Sequence, residues 1–326
     1  MERKDNMKKI FITGLIPEIA YSKLSERFHV TMNRSGKPLS KDQIIEEIRD
    51  ADALLCILSD RIDREVIESN PKLEIIANYG AGFDNIDLQA AKENNTIVTN
   101  TPLVSTVSTA ELTFALILGI TRRISEGERL MRRGDFHGWA PMFHLGTQLK
   151  GKKLGIIGMG NIGKNVARIA RGFQMEILYN NRSRMTEFEE KEHAAEYRSL
   201  EDLLRESDIV TLHLSYHKSL HHCIGKDQLK MMKKSAYLIN AARGPLVDEK
   251  ALLRALINND IAGAALDVFE LEPKVTEGLE KLDNVLLTPH IGNATKEART
   301  AMAQVAAENI IDALEGKVPK NIVRIG

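Results

Sequence analysis

One short stretch limits what this chain can fold into more than any other. It is a glycine-rich turn between an apolar run and a helix-forming segment: Lys153-Leu-Gly-Ile-Ile-Gly158-Met-Gly160-Asn-Ile-Gly163, then Lys164-Asn-Val-Ala-Arg-Ile-Ala-Arg171. Leu154 to Ile157 are apolar without alternation, as a parallel strand covered by helices on both faces requires. Gly158 allows the tight turn, Gly160 lets backbone approach a pyrophosphate, and Gly163 lets the new helix pack close to its strand. The N–H groups and dipole of that helix start then hold the phosphates. A G-x-G-x-x-G alone is a weak signal, but a strand before it and a helix after it make this a dinucleotide site.

An NAD site of this kind usually ends its second strand with Asp or Glu, roughly 20 residues on, to bind the adenosine ribose hydroxyls. Here the second strand, Met175-Glu-Ile-Leu-Tyr179, runs into Asn180-Asn181-Arg182-Ser183-Arg184 with no carboxylate at its end. Two guanidiniums and a hydroxyl suit a 2′-phosphate, because Arg forks pair with phosphate oxygens. The bland alternative is a solvated basic loop. The position in the motif favours NADP(H), with NAD(H) still possible.

A chain of 326 residues has room for two domains, each with its own core. Lysine plus arginine and aspartate plus glutamate both number 45, so no charge excess points to nucleic acid or an anionic membrane. Cys56 lies in the apolar run Ala53-Leu-Leu-Cys-Ile-Leu58, and Cys223 follows His221-His222. Neither pattern is a disulfide framework, which fits a reducing compartment. Adjacent histidines on one element are expected to point apart, so no metal site is expected. The charged start, Met-Glu-Arg-Lys-Asp-Asn-Met-Lys-Lys, is no signal peptide. The apolar stretch Leu112 to Ile120 is too short to span a bilayer. The expectation is a cytoplasmic protein.

Strand-like and helix-like segments alternate throughout. Strands are expected at 9–13, 53–58, 73–77 and 96–98, then after the glycine turn at 176–179, 208–212, 236–239, 263–266 and 285–287. This predicts an α/β fold of two Rossmann-like, doubly wound parallel-sheet domains with a cleft between them. Ser108-Thr-Ala-Glu111 reads as a capping box opening a helix that is apolar almost all round. A second long helix repeats Ala298, Met302, Val305, Ala306, Ile310 and Ala313 up to Gly316. If both helices cross between domains, residues 1–100 with 292–326 form the substrate domain. Residues 101–291 then form the dinucleotide domain.

Three predicted strands end in chemistry-bearing residues: Arg243 after Ile239-Asn-Ala-Ala, Glu272 in Asp267-Val-Phe-Glu-Leu-Glu-Pro273, and His290 in Thr288-Pro-His-Ile-Gly292. Each alone reads as an ordinary loop residue. Ligands of open parallel sheets bind beyond the carboxyl ends of strands, so the three together mark a site. Leu58, at another strand end, is a candidate for the pocket wall.

These motifs resemble the D-isomer-specific 2-hydroxyacid dehydrogenases, most closely the glyoxylate/hydroxypyruvate reductase branch. The likeness runs from about Ala51 to Val323 and includes Asn78-Tyr-Gly-Ala-Gly-Phe-Asp-Asn-Ile-Asp87, Thr101-Pro102 through Glu111, Asn240-Ala-Ala-Arg-Gly244, Leu266-Asp-Val-Phe269 and Pro289-His-Ile-Gly292. The resemblance implies that Arg243 clamps the substrate carboxylate and polarises the 2-oxo group, that His290 is the general acid–base, and that Glu272 orients His290 and favours its protonated form. It implies carboxylate binding by the Ala81 and Gly82 N–H groups. Cofactor contacts are implied at Thr106, Asn161, Ile162, Ala241, Asp267 and Gly292, with Asp267 near the nicotinamide carboxamide. Trp139 is implied either at a partner subunit's site or in a homodimer interface. The implied reaction is reduction of a small 2-oxo acid to the D-2-hydroxy acid. 2-Ketogluconate stays open as a substrate. Two minor alternatives are a nucleotide-sensing corepressor-like protein and a same-fold enzyme acting on formate or phosphite.

Two departures stand out. Ser215 follows His213-Leu214 where relatives often have Pro, and only a few residues follow Pro319, so the regulatory extension of many phosphoglycerate dehydrogenases is not expected.

Overall fold

The computed structural model describes residues 7–324. They divide into two compact units, one ending at Ser105 and resuming at Asn293, the other running Thr106–Gly292. The division lies five residues and one residue later than the sequence pattern suggests. Thr101 N–H donates to Gly80 O and Asn100 N–H to Asn321 O, which keeps residues 100 and 101 with the first unit.

The first unit is a five-stranded parallel sheet of β1 (Lys9–Ile12), β2 (His29–Met32), β3 (Ala53–Ile57), β4 (Ile75–Tyr79) and β5 (Ile97–Thr99), in the order β2-β1-β3-β4-β5. Between the strands run α1 (Glu18–Ser25), α2 (Lys41–Ile48), α3 (Arg64–Glu68) and α4 (Leu88–Glu93). The doubly wound arrangement follows from side-chain alternation. Ile10, Ile12, Ala53 and Leu55 pack into one core cluster, while Phe11, Leu54 and Cys56 pack into another. Strands with both faces buried must be apolar throughout, and these are. The short edge strand β2 and the helix α2 escape the periodicity reading. β2 has only one buried residue of four, and α2 depends on the Ser40–Gln43 capping box.

The second unit has seven parallel strands: β6 (Lys153–Ile157), β7 (Glu176–Asn180), β8 (Ala195–Tyr197), β9 (Ile209–Leu212), β10 (Tyr237–Asn240), β11 (Gly263–Leu266) and β12 (Val285–Leu287). Their order, β12-β11-β10-β9-β6-β7-β8, reverses at β6, the strand that enters the glycine turn. Such a reversal is where open α/β sheets bind nucleotides. Helices α5 (Thr106–Thr121), α6 (Ile124–Arg133), α7 (Asn161–Gly172), α8 (Glu187–His193), α9 (Leu200–Glu206), α10 (Lys226–Met231) and α11 (Glu249–Ile257) complete the unit. Ile156, Ile209 and Ile239 face a core shared with α5 and α7, whereas Ile157, Leu212 and Leu238 face α9 to α11. Each fully buried Leu or Ile stabilises the fold by roughly 1.5–3 kcal/mol.

Helix α5 begins two residues before the Ser108 capping box that the sequence suggests, and Ser108 is a buried residue inside it. The chain returns to the first unit as α12 (Lys296–Leu314), capped by Thr295 and packed on α1 and β4. The two long helices therefore each pack within one unit, α5 along α7 and α12 under the first sheet.

Candidate active site

The glycine turn has the geometry its sequence suggests. Gly158 adopts φ +99°, and a Cβ there would lie 2.7 Å from the His213 carbonyl oxygen. A Cβ at Gly163 would come within 2.4 Å of the Gly158 oxygen and 3.2 Å of Ile156, so only glycine lets α7 start this close to β6. Gly160 caps α7 without a side-chain hydrogen bond, and a Cβ there would meet open space. The first N–H groups of α7, at Asn161, Ile162 and Gly163, thus head a helix with no side chain folded over it. That arrangement fits a dinucleotide pyrophosphate.

At the end of β7, Asn181 Oδ1 accepts from Met159 N–H at 2.6 Å, tying the strand end to the turn. This role is not visible in the sequence, where Asn181 is one of two adjacent asparagines. Arg182 and Ser183 are exposed, and Arg182 has no partner among the described residues. Arg184 is engaged: its Nε and Nη2 donate to Glu190 at 2.8 and 2.9 Å. The Arg184 and Tyr179 hydrogen bonds hold the Glu190 carboxyl down at about 2. Two of the three residues assigned to a 2′-phosphate therefore remain open.

The chemistry-bearing residues gather at the carboxyl ends of adjacent strands β10, β11 and β12. His290 Nδ1 lies 2.9 Å from Glu272 Oε2. Glu272 Oε1 accepts from Phe269 N–H at 3.0 Å, fixing the carboxylate against its own loop. Burial pushes the Glu272 carboxyl up; the His290 hydrogen bond and charge, the Phe269 N–H and the Arg243 charge outweigh this and leave it below its ordinary value. The glutamate is thus an anion at neutral pH, beside an imidazole. Arg243 Nη1 donates to Ala242 O at 2.8 Å, and Asn240 Nδ2 donates to Arg243 O at 2.9 Å. Ala241, buried, leads from β10 into this turn. Gly244 is indispensable there, since its Cβ would fall 1.9 Å from the Phe269 carbonyl.

Asp267 is buried and holds the loop that carries His290. Its Oδ1 accepts from Thr288 Oγ1 at 2.7 Å and Ile291 N–H at 2.8 Å, and its Oδ2 from Gly292 N–H at 2.8 Å. His290 N–H donates to the Asp267 carbonyl at 2.9 Å. These bonds secure His290 at φ +52°, a left-handed conformation that is strained for a side-chain-bearing residue. Three of a carboxylate's roughly four acceptor positions are taken, which leaves one for the implied nicotinamide contact. Thr109 Oγ1 adds a bond to Gly292 O at 3.2 Å from α5, the helix that starts at Thr106.

In the first unit, Leu58 covers Gly80, where a Cβ would lie 2.3 Å from Leu58 Cδ2. The following loop is braced by Asn78, whose Nδ2 donates to Gly82 O at 2.6 Å. The Ala81 and Gly82 N–H groups have no acceptor among the described residues.

The expectation for His221 and His222 needs correction. Their rings stack at 3.9 Å with 22° between planes, because His222 adopts φ +55° and turns its side chain to the same side. His222 Nε2 lies 2.8 Å from Glu270 Oε1, so these three residues could group around an ion.

A sheet in the nucleotide-binding strand order, with an acid–base pair and a guanidinium at its strand ends, defines a nicotinamide-dependent oxidoreductase as a class. Comparison with known proteins narrows this. Residues 114–292 match the profile of the D-isomer specific 2-hydroxyacid dehydrogenase NAD binding domain. A Staphylococcus haemolyticus protein provisionally named a 2-hydroxyacid dehydrogenase is 50% identical over 317 residues, 97% of this chain and 99% of the relative. An NADPH-dependent glyoxylate/hydroxypyruvate reductase from Sinorhizobium meliloti, solved with NADP and malonate, is 29% identical with TM-score 0.87, covering 98% of this chain and 97% of that one. A D-lactate dehydrogenase from Aquifex aeolicus, solved with NAD and lactic acid, is 30% identical with TM-score 0.84, covering 97% and 99%. This chain belongs to the D-isomer specific 2-hydroxyacid dehydrogenase family and is an NAD(P)-dependent oxidoreductase.

Proposed function

We propose that this enzyme reduces a small 2-oxo acid of the glyoxylate or hydroxypyruvate type to the D-2-hydroxy acid, with NADPH preferred. The observation that carries the reading is the His290–Glu272 pair at 2.9 Å, on strand ends adjacent to Arg243 and in the same sheet as the glycine turn. A reduced nicotinamide cofactor, which the α7 N–H groups, Ala241 and Asp267 would hold, would supply the hydride for the carbonyl carbon. His290, held through Nδ1 by Glu272, gives the carbonyl oxygen a proton from Nε2 and takes it back in the oxidative direction. The Arg243 guanidinium pairs with the substrate carboxylate and polarises the carbonyl oxygen. In the first unit, the open Ala81 and Gly82 N–H groups are the proposed donors to a substrate carboxylate and Leu58 the proposed pocket wall.

The cofactor preference rests on the missing carboxylate after β7 and on the open Arg182 and Ser183. A homodimer is also proposed. Its support is the groove lined by Val107, Ala110, Phe114, Asn165, Arg168 and Phe173, together with the exposed Trp139 and Met142.

The test is initial-rate oxidation of NADPH and of NADH with glyoxylate, hydroxypyruvate, 2-ketogluconate and pyruvate. Highest kcat/KM is expected with NADPH and one of the first two acids. Arg182→Ala should lower the NADPH value roughly tenfold or more and spare NADH, the loss of one charge-assisted pair. Equal use of NADH by the wild type would defeat the cofactor assignment. No turnover with any 2-oxo acid would defeat the reading.

A further inference from the structure

We infer that Glu249 is a positioning residue for the Glu272–His290 pair. The inference rests on the proposed acid–base role of that pair. Glu249 is the first residue of α11, after its cap Asp248, where a carboxylate ordinarily stands in water near the helix dipole. Instead it is only 2% exposed, and no cation pairs with it among the described residues. A buried anion without a counterion is unfavourable unless donors replace its water.

Three donors do so. Oε1 accepts from Glu270 N–H at 2.6 Å, and Oε2 accepts from Thr276 Oγ1 at 2.6 Å and Thr276 N–H at 3.3 Å. The two donor residues stand on either side of Glu272, at the start and end of the loop that carries it.

Within this loop Val275 packs on the core of the second unit. Leu271, Glu272, Pro273 and Lys274 are all exposed. Beyond the loop's own bonds, from Phe269 N–H to Glu272 and from Lys274 N–H to Leu271 O, a polar bracket holds it: Glu249 across both ends, His222 on the Glu270 side chain at 2.8 Å, and close contact of Glu270 backbone with Gly244. Glu249 also stands six residues after Arg243, in the connection that leaves β10. It therefore ties the element presenting the guanidinium to the loop presenting the carboxylate. Loss of the bracket lets Glu272 drift, and His290 then loses its orientation.

The experiment is a double-mutant cycle on the full-length enzyme with NADPH and the best 2-oxo acid. Glu249→Gln keeps the shape but turns an amide N–H₂ toward backbone donors. It should lower kcat about tenfold or more, as small misplacements of catalytic groups do, while KM for NADPH changes less than about twofold because cofactor binding is uniform in both states. The alkaline limb of the reductive pH profile should move to lower pH, in the direction produced by Glu272→Gln. In the Glu272→Gln background, Glu249→Gln should add almost nothing, because both act through one group.

Losses that multiply across the cycle, or a destabilised enzyme with unchanged kcat and pH profile, would overturn the inference. Thr276→Val, which removes one donor, is the fallback if Glu249→Gln does not fold. It should shift kcat and the pH limb in the same direction, and wild-type values would overturn the inference. His290→Gln is measured alongside. Near-full turnover there would sink the acid–base reading itself, whatever the cycle gives.

Discussion

At the residue scale, the pair His290–Glu272 is asymmetric in a useful way. Glu272 is held below its ordinary pKa, so its stabilising contact is fully present above the unfolded carboxyl's value and is lost as pH falls through the folded value. Near neutrality it is an anion whose Oε2 lies 2.9 Å from the His290 ring nitrogen. Replacing it by glutamine removes that anion. Reduction, which needs imidazolium, should then fail at lower pH than in the wild type, with a loss on the order of tenfold at mildly alkaline pH. Oxidation, which needs the neutral ring, should extend to lower pH. Rate profiles in both directions read this out, and an unmoved alkaline limb would count against the pairing. The types and order of Arg243, Glu272 and His290 are legible in the sequence because each ends an apolar strand. Glu249 was not legible. Val247-Asp-Glu-Lys250 reads as a solvated helix start, and its burial depends on a loop more than 20 residues away.

At the element scale, adjacent strand-end loops pack so closely that individual glycines become structural. The connection after β10 presses on the backbone that follows β11 at Gly244, where any Cβ would overlap Phe269. Gly244→Ala should therefore destabilise by about 1–3 kcal/mol, the usual range for overpacking, and should lower turnover because Arg243 and Glu270 flank the displaced backbone. Thermal denaturation and kcat check this; an unchanged melting temperature with full activity would show that the loops yield easily. Strand positions were readable from unbroken apolar runs. Shorter elements such as β2, β8 and α8 were not, since few of their residues are buried. The start of α5 was misjudged because a local cap pattern at Ser108 lies inside a helix that begins at Thr106.

At the scale of the whole molecule, two sheets of five and seven parallel strands each have helices on both faces. Among the described residues no helix is long and apolar enough to cross a membrane. Exposed apolar side chains include Val107 on α5, Phe173 just after α7, and Trp139, which is 83% exposed. Covering such a surface with a second copy is the expected outcome. Sedimentation should give twice the chain mass of 36.5 kDa, and Val107→Asp should push the equilibrium toward monomer. A monomeric wild type at micromolar concentration would refute the dimer.

The amino-acid order alone determined the nucleotide turn, the alternation of strands and helices, and the strand ends that carry carboxylate, imidazole and guanidinium. These depend on spacing within one strand–turn–helix unit, where backbone sterics and hydrophobic period act locally. Tertiary structure decided which charged groups were available. It paired Arg184 with Glu190 and left Arg182 open. It stacked His221 on His222, closed Asp267 around the histidine loop and buried Glu249 beneath the loop of Glu272. Each of those outcomes depends on a hydrogen bond or contact whose geometry follows only once the chain is packed, so no local pattern could announce it.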